Sequence, residues 1–159
     1  MSTPERFTGA AARGTAMVII SVRLENDAFM LCEDASARLM MEDRSQGDMR
    51  QFADDLAAFV DRTGVDRIVL RGAPNKGDYA AHPRIYKMEA ALQLQPKLDV
   101  AMVTPPTLDK WERHSGSMAP DVHPSVTTMM EETLHRDAIK AACLSAMGWP
   151  KPSWCEHVK

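Results

Sequence analysis

Arg67-Ile68-Val69-Leu70-Arg71-Gly72-Ala73-Pro74-Asn75-Lys76-Gly77 decides the architecture of this chain. A short apolar run between two arginines runs into a Gly/Pro/Asn-rich segment, the pattern of a buried strand that delivers a basic loop to one edge of a sheet. Charge distribution points to the same place. From Glu25 to Asp66 there are 11 acids and 4 bases, whereas Arg67 to Lys87 carries five bases against Asp78 alone. An anionic partner is therefore expected to meet the second stretch, although the formal charge of −3 excludes the overall electrostatic footprint of a dedicated nucleic-acid binder.

Upstream of this stretch, Ala16 to Leu24 is apolar on both alternating faces as far as Arg23, as a central strand covered on both sides must be. Glu25-Asn26-Asp27 makes a polar turn into Ala28 to Cys32, and Glu33 to Ser36 turns into a weaker edge strand over Ala37 to Glu42. These three strands are expected to form a meander. Ser45 stands at a helix N-cap with Asp48 three residues on, and Met49, Phe52, Leu56, Phe59 and Val60 recur at helical spacing up to Gly64.

Downstream, a helix is expected from about Arg84 to the stop at Pro96, then a strand over Leu98 to Val103 and a short helix around Leu108 to Glu112. Arg113 to Pro124 reads as a loop. Ser125 opens a long last helix that ends near Gly148, and the Pro- and Trp-containing segment beyond it is expected to pack on the body or on a second subunit. With 159 residues, 45% of them hydrophobic, the chain fits one α/β domain over 15–148, flanked by tails at 1–14 and 149–159. Three scattered cysteines suit a reducing cytoplasm, no run approaches membrane-spanning length, and the twelve methionines read as core filling.

The succession of three strands, helix, strand, helix, strand, helix resembles the ribonuclease H-like fold shared by RuvC-type Holliday-junction resolvases and YqgF-like proteins. Val22 to Asp27, Ile68 to Gly77 and Tyr86-Lys87-Met88-Glu89-Ala90-Ala91-Leu92-Gln93-Leu94 look like an uncharacterised bacterial branch of that superfamily. The resemblance implies a mixed five-stranded sheet, a three-strand meander followed by parallel strands, flanked by helices. In the nucleases of that fold it also implies two divalent cations held by carboxylates at the end of the first strand, at the end of the fourth and on the last helix.

Matched to this sequence, the first-strand position falls on Arg23 and the fourth on Arg71, both cations, while the last helix keeps Asp137 within Arg136-Asp137-Ala138-Ile139-Lys140-Ala141-Ala142. Such a site repels a metal. The expectation is a degenerate RuvC-like domain, a pseudo-nuclease without cofactor, that binds nucleic acid or a nucleotide through Arg23, Arg71, Asn75, Lys76 and Lys87. The plainer alternative for Arg23 and Arg71 is a structural ion-pair triad with Asp137.

Two further readings stay open at this level. One is a nuclease with a rearranged acidic site, in which Asp137 and Glu89 act catalytically and Glu25, Asp27 and Asp137 hold Mg2+ or Mn2+. The other is an assembly protein that forms a homodimer through its Trp-containing tail. His114, His123 and His135 with Asp121 lack metal-ligand spacing, Cys143 and His135 read as core packing, and Trp111 as a core or interface indole. Asn75-Lys76-Gly77 lacks the Walker frame.

Overall fold

A computed structural model describes residues 5–73, 82–115, 121–129 and 132–147. Its strands are β1 (Arg6–Arg13), β2 (Ala16–Glu25), β3 (Ala28–Leu31), β4 (Ala37–Met40), β5 (Arg67–Arg71), β6 (Asp99–Val103) and β7 (Asp121–Val122). The helices are α1 (Gln46–Thr63), α2 (Pro83–Gln93), α3 (Pro105–Ser115), α4 (Pro124–Met129) and α5 (Thr133–Ala146). The strands form one mixed sheet in the order β6-β5-β1-β2-β3-β7, with β4 also paired to β2. The ribonuclease H-like class read from the sequence is the class observed, with seven strands where five were expected.

The N-terminal tail expected over 1–14 is corrected by β1. Arg6–Arg13 is a strand at the middle of the sheet, antiparallel to β2 from Arg6↔Arg23 to Arg13↔Ala16, and parallel to β5 at Gly9↔Val69, Ala10↔Leu70 and Ala11↔Arg71. Its small residues answer to packing. A Cβ on Gly9 would collide with the Ala138 carbonyl oxygen and the Ala142 backbone nitrogen of α5 and would stand 2.8 Å from Ala141 Cβ. Glycine and alanine are poor strand formers in isolation, and here the helix lying directly on the strand selects them.

The meander is also shifted by one strand. It runs β1-β2-β3, and β4 pairs with the first half of β2, Ala16↔Met40 to Ile19↔Ala37, along the same edge on which β3 takes Val22 to Glu25. The long last helix expected from Ser125 is two, α4 and α5. Part of the loop expected over Arg113 to Pro124 contributes β7, parallel to β3 at Ala28↔Asp121.

Strand alternation sends the apolar residues to two layers. Ala10, Ala12, Met17, Ile19, Ile68 and Leu70 meet Phe52, Leu56 and Phe59 of α1 and Ile85, Met88 and Leu92 of α2. Ala11, Val18, Ile20 and Val69 face Leu108 of α3, Val126 of α4, and Ala138, Ala141 and Ala142 of α5. Helix α1 is bounded as its sequence predicts. The Ser45 hydroxyl accepts the Asp48 N–H at 3.4 Å, and Gly64 ends the helix at φ +69 with its N–H on the Val60 carbonyl. Because α5 lies on β1 and β5 together, its first turn is carried to the carboxyl ends of these two parallel strands.

Candidate anion-binding cleft

At those strand ends lies a cleft of ≈ 490 Å3. Ala12, Arg13 and Gly14 come to it from the β1–β2 corner, Arg71 and Ala73 from the end of β5, His82, Arg84 and Ile85 from the start of α2, and Thr133 and Asp137 from α5. Clefts of this kind at the carboxyl ends of parallel strands are where open α/β sheets place their ligands.

Arg71 shares the alternation of Val69 and Ala11 and so lies on the α5 side of the sheet. Its Nε stands 3.5 Å from Asp137 Oδ2, close enough for an ion pair. Yet this Nε is enclosed without a hydrogen-bond partner. On α2, Arg84 donates through Nη1 to the Gly14 carbonyl at 3.4 Å, and its Nε is likewise enclosed and unpartnered. Gly14 turns the corner at φ +61, a conformation that suits glycine. The His82 ring caps α2 by accepting the Arg84 backbone N–H on Nδ1 at 3.1 Å, which leaves Nε2 as the hydrogen-bearing nitrogen when the ring is neutral.

Behind the cleft, Glu89 of α2 is buried and accepts the Ala73 N–H at 2.8 Å. Burial pushes its carboxyl above the ordinary carboxylate value, while the Ala73 N–H and the charge of Arg71 pull it back down. This carboxylate fixes the exit of the chain from β5, and with it the direction in which Arg71 leaves the sheet.

The structure thus brings together Arg71, Asp137 and Glu89 of the residues singled out in the sequence, and separates the rest. Arg23 is corrected. It pairs in register with Arg6, at the end of β1 opposite to the Ala11↔Arg71 pair. There its Nε is bound to Glu25 at 2.9 Å, and its Nη1 reaches Cys32 Sγ at 3.8 Å. The first strand of the sheet is β1, so the position expected to hold the first carboxylate passes from Arg23 to the carboxyl end of β1, where the residue in register with Arg71 is the buried Ala11. Glu25 and Asp27, at the turn from β2 into β3, lie at the Arg23 end and do not join Asp137. Lys87 holds both oxygens of Asp43, at 2.9 and 3.1 Å, outside the cleft lining. Asn75 and Lys76 fall outside the described residues, as does the tail from Trp149.

The donor set does not fit the two divalent metals that the resemblance implies. A hard cation requires several oxygen anions, and the strand ends supply Ala11 and Arg71. Among the described residues no group of three His, Cys, Asp or Glu side chains is placed to hold a metal ion. His135 is paired to Glu132 at 2.9 Å, and the His123 ring to Ser125 at 2.9 Å. Cys143 is buried, and burial pushes its thiol up to about 12, away from the thiolate form.

Arg13, His82 and Arg84 also line the cleft and were not singled out in the sequence. Arg13 sat in the presumed tail, and Arg84 counted only toward the local basic charge. The Arg13-Gly14 pair, a cation just before a turn glycine, was the one signal that could have exposed the corner of β1.

Sheet order and helix placement are those of the ribonuclease H-like fold. The structure of Thermus thermophilus RuvC superposes with a TM-score of 0.66 at 11% identity, covering 89% of this chain and 93% of that one. The same organism's RuvC in complex with a Holliday-junction substrate gives 0.63 at 8% identity, over 90% and 96%. The yeast mitochondrial Holliday-junction resolvase Ydc2 gives 0.53 at 9%, over 87% and 75%. At such identities the likeness is one of fold. Within that class, the chain belongs to the family described as "Protein of unknown function (DUF3010)", whose model matches residues 6–144. No curated protein matches it. Among the described residues no helix is long and apolar enough to cross a membrane.

Proposed function

We propose that this chain is a nuclease-fold domain that binds nucleic acid without cutting it, gripping phosphate at the cleft through Arg71. The observation that carries this reading is the exchange at the strand ends, where Ala11 and Arg71 stand at the positions that the resemblance assigns to metal-binding carboxylates. A cleavage site needs negative charge there to hold cations. A guanidinium at the same place attracts the phosphate directly and can grip it with two parallel hydrogen bonds. The RuvC bound to a Holliday-junction substrate supports nucleic acid as the ligand class for the fold.

The test is binding of single-stranded, duplex and four-way DNA, and of RNA, followed by fluorescence anisotropy at low and moderate salt. Binding that weakens steeply with salt and persists without divalent metal is expected. Failure to bind any of them at low salt overturns the proposal. So does Mn2+-dependent cleavage that disappears in Asp137→Asn, which would establish the rearranged nuclease instead.

A further inference from the structure

We propose that the cleft takes a phosphate monoester, the dianionic end of a strand or of a mononucleotide, in preference to an internal phosphodiester. This rests on the reading of the cleft as a phosphate site and narrows it to one chemical form.

Charge is the first ground. Among the described residues, Arg13, Arg71 and Arg84 line the cleft against the carboxylate of Asp137, three guanidinium charges to one. An internal phosphodiester brings one negative charge. A terminal phosphate, with a second ionisation at about 6, brings close to two at neutral pH and balances the site.

Donor supply is the second. Of the five N–H donors on each guanidinium, Arg84 spends one on a long bond to the Gly14 carbonyl, and Arg71 faces Asp137 without a hydrogen bond. Among the described residues no ion pair engages Arg13. A monoester offers three peripheral oxygens and a diester two, so the monoester uses more of these forks. His82, its Nδ1 committed to the α2 cap, adds an Nε2–H.

Shape is the third. The opening of ≈ 490 Å3 lies within the range of about 300–1,000 Å3 typical of small-molecule sites. Ala12, Gly14 and Ala73 are small, leaving room for a phosphate to approach the backbone. A space of this size suits one nucleotide, not the sides of a duplex.

The experiment compares one short single strand in three forms, with a 5′-phosphate, with a 3′-phosphate and with hydroxyl at both ends, by fluorescence anisotropy on the full chain. Deoxyadenosine monophosphate and deoxyadenosine serve as competitors. One phosphorylated form is expected to bind about tenfold tighter than the hydroxyl form, with the monophosphate competing and the nucleoside not. Arg84→Ala should erase that preference, and Arg84→Lys should restore part of it, at unchanged thermal unfolding. Equal binding of all three strands overturns the monoester site while leaving the nucleic-acid reading intact. Binding of the monophosphate but of no strand keeps the monoester site, assigns it to a free nucleotide and rejects the nucleic-acid reading. Binding of none of these probes overturns both.

Discussion

Arg71 and Asp137 face each other across the junction of β5 and α5 at 3.5 Å, each side chain about four-fifths covered, at 22% and 21% exposure. Their separation is an ion pair's without a hydrogen bond, so the carboxylate offsets the guanidinium charge without using its donors. Asp137→Asn is accordingly expected to tighten binding of a phosphorylated strand several-fold, by about 1 kcal/mol. Arg71→Ala should weaken it about tenfold and reduce the slope of log affinity against log salt by about 1. Titrations of both variants across a salt series check the pair, and a looser Asp137→Asn complex would contradict the assignment.

Gly9 is where α5 rests its backbone on the sheet. In Gly9→Ala the added methyl meets the Ala138 carbonyl oxygen and the Ala142 nitrogen, which belong to the helix backbone and cannot rotate aside. Overpacking against yielding side chains costs about 1–3 kcal/mol, and here about 3 kcal/mol or more is expected. Urea unfolding measures it. The displacement of α5 should also move Asp137 from Arg71, so that ligand affinity changes in whatever Gly9→Ala protein remains folded.

The Glu89 carboxyl is raised by burial, and the linkage follows from that direction. A folded state that holds a proton more tightly than the unfolded chain is favoured below the ordinary carboxylate range, and loses that contribution as pH rises through the raised folded value. Glu89→Gln keeps an oxygen for the Ala73 N–H and removes the titration. The stability of the native protein relative to this variant should therefore fall as pH rises out of the ordinary carboxylate range and through the raised folded value, as read from urea midpoints. Glu89→Leu leaves the Ala73 N–H unpaired and should cost about 1 kcal/mol or more even at low pH.

Restoring negative charge tests the location of the metal site that the resemblance implies. The double variant Ala11→Asp/Arg71→Glu places two carboxylates on register partners beside Asp137. It is expected to bind Mn2+ in isothermal titration where the native chain gives no heat, since hard cations follow clustered oxygen anions. A native chain that binds Mn2+ as well as the variant would refute the exchange of charge proposed for this site.

Much of the fold was legible because local and tertiary preferences agree. The Ser45 cap, the Phe52/Leu56/Phe59 stripe and the left-handed Gly64 all specify α1, and the Ile68-Val69-Leu70 run specifies β5. Gly9-Ala10-Ala11-Ala12 was not legible, because its small side chains meet the needs of a helix packed on the strand and carry no strand propensity of their own. That one omission propagated into the site. With β1 taken for a tail, the first-strand position was counted onto Arg23, which the register puts at the wrong end of the sheet. Arg71 and Asp137, which line the cleft, could be singled out because each depends only on its own element, whereas Arg13 and Arg84 depend on the corner of β1 meeting the start of α2.

The central position of β1 also bears on how the molecule is made. Its neighbours in the sheet are β2, immediately downstream, and β5, beyond the whole of α1, while the helix that rests directly on Gly9 is α5, late in the described residues. During synthesis on the ribosome, the alanine-rich strand must wait for its contact at Gly9 until α5 emerges. The nascent chain therefore acquires its native topology late, and agents that shield exposed apolar surface should matter more to its yield than to the stability of the finished protein.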